Sequence, residues 1–145
     1  MIPVFLISLM LTVQEVPRPD LEGEADPVIA RLGEYARAVE SDSKDAAAWG
    51  QYGIFLHAHG FDAEAQRSYE IAQELDPREF RWPYFRSILL ARSDEHAALG
   101  LLGVAIAIDP NYGPAHDRRG VLRESLGQDG RSSFMRALRL TPGSP

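Results

Sequence analysis

The chain has 145 residues, of which 45% are hydrophobic and 25% are charged, and this balance is typical of one ordinary globular domain. Its net charge of -6 and the scatter of its Lys and Arg residues argue against nucleic acid as a partner, because nucleic-acid binders concentrate positive charge on one face. The chain contains no cysteine, which excludes disulfides, a thiolate nucleophile and a thiolate metal site.

The amino-terminal residues 1–13, MIPVFLISLMLTV, are nearly all apolar, and an acidic, proline-rich stretch follows at 14–26. An apolar run this short cannot form a stable membrane span, which takes about 20 residues, but it matches the roughly 7 to 15 apolar residues of a secretory signal. No Lys or Arg precedes Arg18, and no A-x-A-like cleavage site lies near Val13. We expect a signal-like segment of an exported protein, periplasmic or secreted, followed by a flexible linker at 14–26. The alternatives are a misassigned start codon or an apolar segment packed against the fold, either of which is compatible with a cytoplasmic protein.

The next stretch, residues 27–41, has the pattern of an amphipathic helix. It begins at Asp26-Pro27, a good helix start, and its apolar residues recur at helical spacing: Val28, Ile29, Leu32, Tyr35, Ala36 and Val39. The pattern predicts a helix that caps the elements after it.

An internal repeat occupies the rest of the chain. Apolar helical stretches end at Pro77, Pro110 and Pro142, spaced 33 and 32 residues apart. The first unit, residues 46–79, predicts two antiparallel helices over 46–58 and 62–75, in which large side chains fit against small ones. Its signature residues are Trp49, Tyr52, Gly53, Leu56, Gly60, Ala65, Tyr69, Ala72, Leu75 and Pro77.

These signature positions resemble the tetratricopeptide repeat over a full 34-residue unit. The resemblance implies an all-α fold, a right-handed α-solenoid of antiparallel helix pairs over 27–142. It would contain about three repeats, at 46–79, 80–112 and 113–142, preceded by the capping helix at 27–41. Tyr35 and Ala38 lie 34 residues before Tyr69 and Ala72, so this capping helix resembles the second half of a repeat.

The later repeats are less regular. In the second, we prefer the register that places Ser87 at the small position of Gly53, because the alternative would bury Arg86 there. The missing residue then falls in the turn at 92–94. In the third, His116 stands where an aromatic residue is usual, and Arg119 and Arg123 replace apolar residues, which indicates a more exposed packing surface.

Motifs for catalysis or metal binding are weak. His57 and His59 form an H-x-H pair, but a helix separates such side chains by about 200°, whereas helical metal pairs use i, i+4 spacing. No phosphate-binding loop and no nucleophile motif is present. We expect no enzyme activity, no cofactor and no metal site.

In proteins with this repeat, the first helices of the pairs line a concave groove, and the resemblance assigns ligand contacts to particular helical positions. Repeats that clamp a chaperone's terminal carboxylate carry Lys and Asn where this chain has Gly50 and Ile54, which disfavours a co-chaperone function. The candidate partner-binding residues are Gln51, Ile54, His57, Arg81, Tyr84, Phe85, Ile88, Asp117, Arg118, Val121 and Glu124.

The function that this resemblance implies is a non-catalytic scaffold that binds a peptide or helix of a partner protein in the groove. Two alternatives stay open, namely a homo-oligomerising structural module and a subunit that recruits substrates to an enzyme complex. Homo-oligomers would form through the carboxy-terminal face, where apolar residues lie on a helix that no later helix is predicted to cover. These residues are Phe134, Ala137, Leu138 and Leu140.

Overall fold

The computed structural model describes residues 14–141, so that the predicted signal-like segment and Pro142 lie outside the described residues. All regular elements within residues 14–141 are helices, as predicted, and this part of the chain contains no strand. No helix within 14–141 is both long enough and apolar enough to cross a membrane. The helices are α1 Asp26–Ser41, α2 Ala46–Ala58, α3 Asp62–Leu75, α4 Arg81–Leu90, α5 Glu95–Ile108, α6 Gly113–Ser125 and α7 Arg131–Leu140.

The helices form three pairs, α2 with α3, α4 with α5, and α6 with α7, and α1 packs on α2 at one end. Each pair also packs on the next through α3 with α4 and α5 with α6, which makes an all-α solenoid. Successive helices are joined by turns of a few residues, and such short connections place neighbours side by side in antiparallel directions. The core is therefore a line of contacts between neighbours, as in other repeat proteins.

Close contact within the first pair depends on Gly53 of α2. A Cβ atom on Gly53 would lie 2.8 Å from ring atoms of Tyr69 and 3.3 Å from the Cβ of Ser68, both on α3. Trp49, Tyr52 and Tyr69 are almost completely buried around this contact. A side chain at position 53 would force the two helices apart.

The second pair follows the predicted register. Ser87 is 1% exposed, and its hydroxyl donates to the carbonyl of Tyr84 at 2.6 Å, so that a polar side chain is satisfied at the small position. Arg86 points elsewhere and donates to Gln73 at 2.9 Å and to Glu70 at 2.8 Å, which ties α4 to α3.

In the third pair, His116 makes the hydrogen bond that a tryptophan makes in the first. The Trp49 Nε1–H donates to the carbonyl of Ser43 at 2.9 Å, and His116 Nε2 lies 2.9 Å from the carbonyl of Pro110, also six residues earlier. Because a carbonyl only accepts, His116 carries its proton on Nε2, and Nδ1 accepts from Arg119 at 3.3 Å.

The prediction that Arg119 lies on an exposed surface is corrected by the structure. Arg119 is half-buried between α6 and α7, and its Nε donates to the buried hydroxyl of Ser133 at 3.1 Å. Burial, together with the nearby charge of Arg123, lowers the pKa of the Arg119 guanidinium. The buried hydroxyl provides the partner that a guanidinium needs at this depth.

Residues 14–21, which we call the strap, contact the helices rather than extending away from them as a free linker. Val16 and Leu21 pack against the core around Trp49 and Tyr52, and Pro19 is buried. The hydroxyl of Tyr52 donates to the carbonyl of Pro17, and Arg18 forms an ion pair with Glu40 of α1. The strap therefore covers the core at the amino-terminal end of the stack.

We expect Gly53→Leu to destabilise the fold by roughly 2 kcal/mol or more, because overpacking at a tight helix contact forces backbone shifts. Ser87→Leu should act in the same direction. Urea unfolding measures both. The matched control is Gly100→Ala on α5, where a Cβ would meet no atom within 4 Å and the free energy of unfolding should be unchanged or higher. Equal stability of Gly53→Leu and the parent chain would contradict the close contact.

Alkaline pH should weaken the fold through Tyr52. Burial raises the pKa of this phenol to about 12, and the positive charge of Arg18 offsets part of the effect. The unfolded chain releases the proton near pH 10, so the contribution is complete below about pH 10 and is lost as the pH rises towards the folded value. Burial also raises the pKa of Tyr69, which adds loss in the same direction.

The test is Tyr52→Phe, whose free energy of unfolding should fall less steeply than that of the parent chain above pH 10. At pH 7 this variant lacks only the hydrogen bond to Pro17, worth about 1 kcal/mol. Identical alkaline slopes for the two proteins would show that Tyr52 does not control this dependence.

Candidate functional site

Two open pockets lie side by side on the surface formed by α2, α4 and α6, one on each side of α4. The α2–α4 pocket has a volume of about 370 Å³ and is lined by Ile54, His57, Ala58, Tyr69, Phe85 and Ile88. The α4–α6 pocket has a volume of about 360 Å³ and is lined by Tyr84, Ser87, Ala91, Pro114, Asp117, Arg118, Val121 and Leu122. We call the surface that contains both pockets the groove.

The α2–α4 pocket is apolar and aromatic. Phe85 stacks on Tyr69 with ring centroids 5.4 Å apart, and His57 meets the same ring edge-on at 6.2 Å. The rings of Tyr69 and Phe85 are held by packing, so the wall of the pocket is rigid. Ile54 and Ile88 complete the wall of this pocket, so that its apolar lining suits an aliphatic or aromatic side chain.

The α4–α6 pocket combines an apolar wall with two charged groups. Tyr84 is only 7% exposed, and its ring packs edge-on against Tyr112 at 5.0 Å. Its hydroxyl accepts from Arg118 Nε at 3.3 Å, and the guanidinium carbon lies 5.9 Å from the centre of its ring. Arg118 is thus held at the pocket rim by Tyr84, whereas Asp117 and Val121 are exposed there.

The structure brings together eight of the predicted contact residues in these two pockets. The other three lie outside both. Gln51 is exposed on α2. Arg81 is paired with Glu79 at 2.7 Å, which lowers the pKa of that carboxyl, and lies over Trp82. The carboxylate of Glu124 accepts from the backbone N–H of Gly130 at 2.9 Å and so fixes the turn before α7.

Two pocket residues were not predicted although the repeat register includes them. Ala58 and Pro114 occupy positions at which this repeat type contacts ligands. Their side chains carry no charged, aromatic or hydrogen-bonding group that would indicate a binding residue. Ala91 follows the last residue of α4, and nothing in its local sequence marks it as a pocket residue. Only the position of α4 beside α6 in the stack places it there.

The site at which related repeats carry a clamp lysine is filled in this chain. A Cβ on Gly50 would lie 2.0 Å from the Cη2 of Trp82, so the indole ring of α4 rests directly on the backbone of α2. Trp82 is 2% exposed, and its Nε1 finds no hydrogen-bond partner within the described residues. No side chain can project into the groove from position 50.

Within residues 14–141, no three His, Cys, Asp or Glu side chains form a group that could hold a metal ion. His57 lines the α2–α4 pocket, while His59 follows the last residue of α2 and its ring is tilted against that of Phe55 with centroids 4.4 Å apart. The two histidines thus take separate roles.

No protein-family model and no curated protein matches this chain. Solved structures do match. A crystal structure of MamA superposes with a TM-score of 0.74 at 19% identity and covers 79% of this chain and 69% of its own. A second MamA structure gives 0.73 at 18% identity and covers 80% and 65%, so this chain spans about two thirds of the MamA chains. The first TPR domain of Spaghetti (RPAP3), bound to the HSP90 peptide SRMEEVD, gives 0.66 at 25% identity and covers 71% and 84%.

These likenesses, with the helix pairs and the close contacts between them, show that the chain has a tetratricopeptide-repeat fold. The class of protein that the fold defines is a helical repeat domain with an open groove across the first helices of its pairs. The expectation of an all-α solenoid preceded by a capping helix is confirmed.

We expect Gly50→Ala to destabilise the fold by about 1 to 3 kcal/mol, because even one methyl group cannot fit beneath the Trp82 ring without moving α4. Thermal unfolding measures the loss. In the background of Trp82→Leu, Gly50→Ala should cost less stability than it does in the parent chain, because the smaller leucine relieves the clash. A stable Gly50→Ala protein with an unchanged Trp82 fluorescence spectrum would contradict this contact.

Proposed function

We propose that this protein is a non-catalytic interaction scaffold that binds a segment of a partner protein in the groove across α2, α4 and α6. The observation that carries the proposal is the pair of adjacent open pockets on the two sides of α4. Rigid aromatic walls beside exposed polar groups are typical of surfaces that bind peptides. A partner segment that crosses α4 would place one side chain in each pocket.

The chemistry of the pockets limits the partner segment. The α2–α4 pocket favours an apolar side chain, because its wall is built from Ile54, Tyr69, Phe85 and Ile88. The α4–α6 pocket favours a side chain with both apolar and polar parts, because Val121 and Leu122 lie beside two charged groups. An apolar anchor gives most of the affinity in such sites, and the charged rim sets orientation and specificity.

The RPAP3 domain that is bound to an HSP90 peptide supports a peptide as the class of ligand. It does not support the same peptide. The place of the clamp lysine is occupied by Trp82 against Gly50, and Ile54 makes the neighbouring position apolar. We therefore propose a partner segment that is held by its apolar residues rather than by a terminal carboxylate alone.

The test uses a display library of random peptides, selected on the parent protein, with the affinity of the enriched peptides measured by fluorescence anisotropy. Val121→Asp should weaken binding roughly tenfold or more, because it adds a carboxylate beside Asp117 in a pocket that needs an apolar contact. Val121 is 56% exposed, so that the fold should tolerate the change.

The matched control is Val104→Asp, which makes the same substitution at a 42% exposed valine on α5, away from both pockets. Its affinity for the enriched peptides should equal that of the parent protein. Failure of the library to yield any enriched peptide, or equal losses in the two variants, would count against a peptide-binding groove.

A further inference from the structure

The two ends of the helical stack carry opposite charge. Residues 113–141, which form α6 and α7, contain six arginines and three acidic residues. At the other end, the fifteen residues from Asp20 to Glu34 contain five acidic residues and one arginine. Positive charge is therefore in excess at the α6–α7 end of the stack and negative charge at the α1 end, although the overall charge is only -6.

The arginines of α6 and α7 have no acidic partner within the described part of the chain. All five ion pairs found in residues 14–141 lie between Arg18 and Arg86. Arg131 and Arg139 are exposed on α7, and Arg136 donates to Asn111 at 3.0 Å rather than to a carboxylate. The positive charge of this end is therefore not neutralised within the described fold.

An apolar seat lies on α7, the helix that also carries Arg131, Arg136 and Arg139. Leu138 is 66% exposed and Met135 is 56% exposed on α7, where the two other second helices, α3 and α5, are covered by α4 and α6. A pocket of about 470 Å³ opens beside Leu138, and no helix among residues 14–141 lies over it. It is lined by Gly113, Pro114, Asp117, Phe134, Ala137, Leu138 and Thr141. We call this surface the α7 face.

The acidic end offers a helix surface of matching character. α1 packs on α2 through Leu32, Ala36 and Val39, which leaves its opposite side exposed. Ile29 lies at the edge of the packed face, three residues before Leu32, and is 37% exposed. Gly33 and Arg37 follow Ile29 at four-residue intervals, so this row of residues runs from the edge of the packed face towards the exposed side of α1. Gly33 has only the Arg37 side chain near its missing Cβ, so another helix could approach closely there.

We propose that the α7 face binds α1 of a second copy of this chain, head to tail. In this arrangement the exposed Ile29 of one copy covers the apolar seat of its neighbour, and the acidic residues around it meet the unpaired arginines. An interface between two α7 faces would instead place like charges together, which is unfavourable. A head-to-tail contact leaves one free face at each end, so that the assembly grows with concentration.

The experiment mixes two variants that each block one end, prepared as the full chain and followed by sedimentation velocity. Leu138→Asp places a carboxylate in the apolar seat, and Ile29→Asp places one on α1. We expect each variant alone to stay monomeric at concentrations at which the parent chain forms a concentration-dependent series of oligomers. An equimolar mixture should form a species of twice the monomer mass and no larger one, because each variant retains the face that the other has lost.

Val104→Asp is the matched control, because it adds the same charge to an exposed position on α5, and it should assemble like the parent chain. Raised salt should shift the parent assembly towards monomer, since the charges lie at the surface. A parent chain that is monomeric at every concentration overturns the proposal. So does a mixture that stays monomeric, or a pattern in which Ile29→Asp alone still assembles. The peptide-binding test with Val121→Asp is independent, so either proposal can fail without the other.

Discussion

The contact between a small residue on the first helix of a pair and a ring on the second is the constraint on which the structure depends. Gly53 meets the ring of Tyr69, and a Cβ on Gly120 would lie 2.5 Å from the ring of Phe134. These contacts fix the distance between paired helices, because neither backbone nor aromatic ring can yield. With that distance set, the first helices of successive pairs come to lie side by side and form the groove.

The second pair keeps the same packing with a different division of volume. Its small residue is Ser87 rather than glycine, and the repeat register pairs it with Leu102, which is smaller than Tyr69 or Phe134. The smaller side chain on α5 is thus offset by the larger one on α4. The hydroxyl of Ser87 donates to a carbonyl of its own helix and is therefore satisfied. The pair can vary in sequence as long as its total volume is conserved.

Trp82 limits which residues of the first repeat are open in the groove. It stands at the start of α4 and covers Gly50 of α2, so that one aromatic ring joins two repeats and closes the surface at position 50. The pockets are displaced towards α4 and α6, where Phe85, Ile88 and Arg118 remain accessible. The surface at position 50 is therefore used for packing between repeats and is not open in the groove.

The sequence by itself determined the helices, their pairing and most of the groove residues. Glycines and alanines recur at fixed distances from large aromatic residues, and this pattern is local enough to read within one repeat. The same pattern assigned Ser87 to the small position of the second repeat, because the alternative register would have buried Arg86 there without a partner. Residues such as Ile54 and Val121 came from the ligand-contact positions that the resemblance to the tetratricopeptide repeat implies.

Only the tertiary structure decided which helical positions stay open. Trp82 on Gly50, Arg119 on Ser133, and Tyr52 with the strap are contacts between residues that lie 14 to 35 positions apart. Glu124 has the helical position of a ligand contact, but its carboxylate is held by the turn before α7. A periodic pattern assigns a side chain to one face of its helix. What lies against that face depends on distances between helices, which arise only when all the pairs pack together.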